Sequence, residues 1–266
     1  MSAIVECVPN FSEGSNTQTI SAITAAIEQI QGVSLLDVDP GASANRTVVT
    51  FVGPPAAVVE AAFQAIRTAQ LHIDMRNHQG EHPRMGATDV CPLVPVSGIS
   101  LEECAALATA LAERVSSELG IPTFLYEAAA TSPKRSRLPD LRKGEYEALK
   151  SKLTSAEWGP DFGPRKWSEV VAKSGGTVIG ARPFLIAWNV NLNTTNQRIA
   201  EKLAGTLREK GKYARAEDGQ LLRGDDGKPY RSPGRFKAVN AIGWTIPEYN
   251  RCQLSCNMLD FTITGL

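Results

Sequence analysis

Ile4-Val5-Glu6-Cys7-Val8-Pro9-Asn10-Phe11-Ser12-Glu13-Gly14 begins as a short apolar strand pattern and breaks at Pro9 into a polar, turn-forming segment. Ile20, Ile23, Ile27 and Ile30 then recur at spacings of three and four, which builds one apolar helix face. Ser15 and Gln18 fit a capping box ahead of that helix, and Gly32 fits its C-terminal stop. Strand, polar loop and helix in this order set a rhythm that the chain repeats. Residues 33–38 and 47–52 read as strands joined by the loop 39–46. Pro54 and Pro55 open a second helix with Val59, Phe63 and Ile66 on its buried side. Residues 90–96 read as a strand. Ser100 and Glu103 form a second capping box, Cys104, Leu107, Leu111 and Val115 continue a helix, and Gly120 ends it before a strand at 123–126. The alternation predicts an α/β (α+β) fold, a sheet covered by helices.

Residues 131–180 break the rhythm with Pro133, Pro139, Pro160 and Pro164, and the connection between domains is expected late in this stretch. Residues 177–190 read as one long strand, 197–209 as a helix, 211–235 as a mobile loop, and 238–246 and 253–263 as two strands. The expected division is 1–178 and 179–266. The second part reads strand, helix, strand, strand, so a split βαββαβ unit would still need one more helix and strand.

Hydrophobic residues make up 42% of the 266, and 28 basic residues balance 28 acidic ones, so nothing resembles a global nucleic-acid or membrane-binding surface. Cys7, Cys91, Cys104, Cys252 and Cys256 are odd in number, scattered and without a CxxC pair, which points to reduced thiols and a cytoplasmic protein. No signal peptide is apparent, and no apolar run approaches the roughly 20 residues that span a bilayer. The sequons at Asn10 and Asn45 then carry no glycosylation meaning.

The chemistry-bearing candidates lie beside expected strand ends. Gly80-Glu81-His82-Pro83-Arg84-Met85-Gly86 sets a histidine between a carboxylate and a guanidinium, with Pro83 holding it out of any helix. An imidazole exchanges protons readily near neutrality, so His82 is a general acid/base candidate. A surface histidine bonded to Glu81 is the plain alternative. His72 reads as helix-terminal and His78 as a loop residue. The three histidines are too few for a histidine-rich metal site. Asn10 to Gly14, the group Asp37, Asp39, Gly41, Asn45 and Arg46, and the His82 segment with Asp89 form three polar clusters that would converge at one end of a sheet. Turn and cap chemistry is the plain reading for Asn10, Ser12 and Asn45 taken singly. No Walker A, GxGxxG, HExxH or GxSxG signature occurs.

Glu6 to Gly14, Leu36 to Asp39, Asn45 to Val48 and Gly80 to Gly86 closely resemble the glutamate formimidoyltransferase family in its stand-alone form. So do Tyr126, Gly144-Glu145-Tyr146-Glu147, Pro160-Asp161-Phe162-Gly163-Pro164, Thr177 to Arg182 and Ile242-Gly243-Trp244. In animals this unit is fused to a cyclodeaminase. The resemblance implies formimino transfer between N-formimino-L-glutamate and tetrahydrofolate, giving 5-formiminotetrahydrofolate and L-glutamate, in histidine degradation. It implies two α/β subdomains related to the ferredoxin-like arrangement, the second here expected without its last helix and strand, and a homodimer. The family's catalytic histidine matches His82, and its folate-binding loop matches the region beginning at Gly163 and Pro164 and reaching Gly175 and Gly176.

In that reaction the folate N5 amine attacks an amidine carbon and the glutamate amine leaves, so one group must accept a proton and another proton must be delivered. His82 is expected to do both, with Asp39 orienting or charging the imidazole. Asn10 and Asn45 are expected to bind substrate or folate, and Arg46, Arg84 and Arg182 to grip substrate carboxylates in bidentate fashion. Tetrahydrofolate serves as co-substrate and no metal is required. Two rival expectations are formyl transfer from 5-formyltetrahydrofolate to glutamate, and a non-catalytic folate-binding or assembly subunit.

Overall fold

The computed structural model describes residues 2–265, apart from the side chain of Glu248. Met1 and Leu266, the outer bounds of the two expected subdomains, lie outside the described residues. Contacts divide the chain into two units, Met1–Arg182 and Pro183–Leu266.

The first unit runs β1 (Ile4–Cys7), β2 (Asn10–Phe11), α1 (Thr17–Glu28), β3 (Ser34–Gly41), β4 (Arg46–Gly53), α2 (Pro55–His72), β5 (Thr88–Ser97), α3 (Leu101–Leu119), β6 (Thr123–Glu127), α4 (Leu138–Leu141), α5 (Leu149–Lys152), α6 (Glu169–Ser174) and β7 (Thr177–Ala181). Among the described residues these strands form one sheet, in which β1 and β2 follow one another between β4 and β5, and β3 flanks β4. Those pairings are antiparallel, whereas β7 lies parallel between β5 and β6. The period-two alternation of strands sorts their side chains onto two faces. Cys91, Leu125 and Ile179 face the layer of α1, α2 and α3 with Ile23, Phe63, Ile66 and Leu111. Val90, Phe124 and Val178 face the other way, onto Leu141, Leu149, Leu153 and Val171. The proline-rich stretch expected to lead out of the domain is therefore the cover of the sheet's second face.

Local chemistry explains where helices start. Ser100 and Glu103 make the expected capping box. The first helix is capped one residue later than expected, by Asn16, because Glu13 Oε1 already accepts from the Ser15 and Asn16 amides and Asn16 Oδ1 accepts from Gln18 and Thr19.

The single strand expected at 177–190 is two. β7 is hydrogen-bonded in register to β5 and β6, and Pro183 has no N–H with which to extend a ladder. The division therefore falls after Arg182, where the expected one, after 178, would cut β7.

The second unit contains β8 (Ile186–Leu192), α7 (Gln197–Leu207), β9 (Lys212–Tyr213), β10 (Arg231–Ser232), β11 (Val239–Ile246) and β12 (Arg251–Met258). Its sheet is antiparallel in the order β11, β12, β8, and α7 packs Ala204 onto Ala241, Leu254 and Cys256. The strand, helix, strand, strand order holds, with a ribbon of β9 and β10 between α7 and β11. The segment 211–235, expected as a mobile loop, is built of nested turns, with Arg215 bridged to Leu221 and Arg223 to Pro229. The last strand ends at Met258 because the Asp260 carboxylate accepts from the Thr262 amide and hydroxyl and folds that segment into a turn.

Candidate active site

The antiparallel register brings the three polar clusters together at one end of the first unit's sheet. Asn10 stands opposite Val48 and Val90, and Phe11 opposite Thr47 and Thr88. Loop-to-loop bonds then lock the end in place. Ser12 Oγ donates to the Gly86 carbonyl at 2.7 Å, and Thr47 Oγ1 donates to the Glu13 carbonyl at 2.5 Å. Asn45, held at φ +46°, accepts from the Gly14 amide and donates to the Gln79 carbonyl at 2.7 Å. Gly86 packs backbone against backbone on residues 174–176. A Cβ at Gly86 would stand 2.5 Å from the Gly176 carbonyl oxygen, and one at Gly175, whose φ is +67°, 2.3 Å from that of Met85.

His82 is half-buried on this floor. Its Nδ1 lies 2.8 Å from the Pro83 carbonyl oxygen. A carbonyl only accepts, so Nδ1 carries the hydrogen and Nε2 carries the lone pair. Burial, then the charges of Arg46 and Arg142, pull the imidazole from 6.5 down to about 3, against a smaller lift from the Pro83 carbonyl. The ring is therefore a neutral imidazole whose unprotonated nitrogen is Nε2.

Its charged neighbours form one network. Arg142 Nη2 donates to Asp89 Oδ2, and Asp89 Oδ1 accepts from the Met85 amide at 2.9 Å. Asp89 is 1% exposed, and burial raises its pKa against the opposing pull of Arg142, the Met85 amide and Arg46. Arg46 Nη2 donates to Asn10 Oδ1, and burial lowers its pKa to about 10. The Nε atoms of Arg46 and Arg142 are both buried without a hydrogen-bond partner.

The expected site residues divide between this network and its scaffolding. His82, Asn10 and Arg46 share the network. Asp39 is exposed on β3 opposite Val48, and its charge acts on Arg46. The charges that shift His82 are those of Arg46 and Arg142, while that of Asp39 acts on Arg46. Arg84 is committed elsewhere. Its five N–H groups go to Glu145, to both oxygens of Glu147, and to the His78 carbonyl and Nδ1. Since His78 Nδ1 accepts, its Nε2 donates to the Asn45 carbonyl, so Arg84 and His78 clamp the loops. Asn45 is likewise a loop staple.

Arg182 stands just past the C-terminal end of β7, away from this network. Its amide bonds the Leu93 carbonyl, about 13 Å along β5 from Asp89 at roughly 3.3 Å per residue, and its side chain meets Tyr126 and the charges of Glu6 and Glu127. Gly163, at φ +93°, is pressed against Ser116 and Ile121, with Pro164 following it on the surface segment beyond the Thr123–Phe162 bridge. Gly175 and Gly176 seat residues 85–86. Arg142 is the residue that motif reading passed over. Its signal was its place two residues before Gly144-Glu145-Tyr146-Glu147, whose carboxylates hold Arg84.

No helix among the described residues is long and apolar enough to cross a membrane. Residues 4–182 match the family model of the formiminotransferase domain, N-terminal subdomain, and residues 187–266 match that of the formiminotransferase domain. Formimidoyltransferase-cyclodeaminase of Rattus norvegicus is 53% identical over 266 residues, which are 100% of this chain and 46% of that protein, so the chain spans about half the length of such relatives. Glutamate formimidoyltransferase of Streptococcus pyogenes is 44% identical over 98% of this chain and 79% of its own. That of Thermoplasma acidophilum is 41% identical over 99% and 79%. With both subdomain models matched in order along the chain, it belongs to the formiminotransferase family.

Proposed function

We propose that this chain transfers a formimino group between N-formimino-L-glutamate and tetrahydrofolate, giving 5-formiminotetrahydrofolate and L-glutamate, with His82 as the proton carrier. The observation that carries the reading is the fixed tautomer of His82, whose Nδ1–H is spent on the Pro83 carbonyl and whose Nε2 keeps its lone pair for a proton. The relatives named glutamate formimidoyltransferase supply the reaction for which such a group is suited.

The folate N5 lone pair attacks the amidine carbon, and the C–N double bond gives way to a tetrahedral centre. His82 Nε2 takes the proton from N5 and returns it to the glutamate nitrogen as that C–N bond breaks. One imidazole then serves both half-reactions, an effect typically worth about 10²- to 10⁴-fold in rate. Folate is the co-substrate and carries away the one-carbon group, so the step needs no metal. Asn10 and Arg46 bind at the reacting end, and the region beginning at Gly163 and Pro164 takes folate. A cytoplasmic homodimer completes the proposal. Its free, buried cysteines suit a reducing compartment.

One preparation assayed with formiminoglutamate plus tetrahydrofolate, and with 5-formyltetrahydrofolate plus glutamate, tests the substrate. Turnover in the first assay is expected to exceed the second. The reverse order would assign formyl transfer, and folate binding without turnover in either would assign a binding subunit.

A further inference from the structure

We infer that Arg46 and Arg142 together hold the α-carboxylate of the formimino donor beside His82, and that Asp89 is the positioning residue that aims Arg142. The inference rests on the formimino-transfer reading of the site.

The charge balance calls for an anion. Two guanidiniums, Arg46 and Arg142, act on one another and on a neutral imidazole, and the buried carboxylate among them is Asp89 alone. Asp39 also acts on Arg46, but it is exposed and its charge is screened by water. One positive charge in this half-buried cluster is left without a buried counterpart.

The hydrogen bonds agree. Asp89 has both oxygens engaged, by Arg142 Nη2 and by the Met85 amide, and Asn10 Oδ1 takes Arg46 Nη2. The Nε–H groups of Arg46 and Arg142 are buried and have no acceptor. The protein thus leaves each guanidinium short of acceptors, and a carboxylate, with about four lone-pair positions, supplies several to the donors it reaches. Arginine forks match carboxylates in just this bidentate manner. The other candidate arginines are otherwise placed, Arg84 in five bonds to protein groups and Arg182 past the C-terminal end of β7.

Chemistry selects which carboxylate. In N-formimino-L-glutamate the α-carboxylate hangs from the very carbon that bears the reacting nitrogen. The carboxylates of the folate lie beyond its aminobenzoyl ring, far from N5. An anion gripped by the two guanidiniums whose charge acts on the His82 ring is therefore the α-carboxylate of the donor. Its arrival also offsets the two guanidinium charges that press on the imidazole, so binding the donor equips His82 to hold the proton it must carry.

The test is steady-state kinetics of the 266-residue chain with Arg142→Gln and Arg142→Lys, together with calorimetric binding of L-glutamate and 4-aminobutyrate, which lacks the α-carboxylate. Arg142→Gln is expected to raise the KM for formiminoglutamate about 10- to 100-fold, as for the loss of one charge-assisted anchor, and to leave that for tetrahydrofolate within about threefold. Arg142→Lys is expected to recover part of the loss. Wild-type protein is expected to bind glutamate and not 4-aminobutyrate. No formimino turnover by the wild type overturns the proposed function and this inference with it. Turnover with an unchanged formiminoglutamate KM in a folded Arg142→Gln protein overturns the inference alone. If that variant does not fold, equal binding of glutamate and 4-aminobutyrate to the wild type does the same.

Discussion

Acidification should find His82 uncharged long after an ordinary histidine has taken its proton. Burial and the charges of Arg46 and Arg142 place its protonation at about 3, against 6.5 for the free side chain. At about 1.4 kcal/mol per pKa unit, that gap corresponds to about 5 kcal/mol for charging the ring inside the fold. The unfolded chain binds a proton at this histidine from pH 6.5 downward and the native chain does not. Stability from this residue is therefore complete above pH 6.5 and is lost as pH falls towards 3. Between about pH 7.5 and about pH 5 the linkage amounts to about 2 kcal/mol. The ring signals of three histidines, with His82→Ala identifying the one that vanishes, make proton NMR titration the direct assay. The His82 signal should stay flat across that range, and urea unfolding should show wild type losing about 2 kcal/mol more than His82→Ala. A His82 midpoint near 6.5, or equal losses in the two proteins, would refute the electrostatic reasoning.

Other perturbations read other parts of the site. The acid limb of kcat/KM should lie well below pH 6.5, and that of kcat at higher pH, because the bound donor's carboxylate offsets Arg46 and Arg142; coincident limbs would contradict this. Arg84→Met should cost about 1–3 kcal/mol, less than a fully buried bridge because Glu145 and Glu147 are partly exposed, and should speed amide hydrogen exchange at residues 78–86; unchanged exchange there would remove the clamp. Gly86→Ala should cost about 2 kcal/mol or more in thermal or urea unfolding, since its Cβ would meet the Gly176 carbonyl at 2.5 Å; a neutral result would mean residues 174–176 part freely.

Local signals were readable where they did not depend on distant partners. Ser100 and Glu103 announced their helix because a capping box is complete within four residues. Ser15 misled because the carboxylate that displaces it, Glu13, lies upstream of the box. The cover formed by Leu141, Leu149, Leu153 and Val171 was hidden, since short helices broken by prolines leave no period to count. The convergence of Asn10, Arg46 and the His82 segment was foreseeable from strand ends. Which arginine would pair with which carboxylate was not. Arg84 pairs with Glu145 and Glu147 and Arg142 with Asp89, and only the fold that brings residues 84–89 against residues 142–147 decides that.

The proton carrier itself is tested most directly by His82→Ala, assayed for formimino transfer from formiminoglutamate to tetrahydrofolate alongside circular dichroism of the same preparation. Turnover should fall about 10²- to 10⁴-fold with the fold intact. Wild-type turnover in a folded His82→Ala protein would contradict the role given to Nε2.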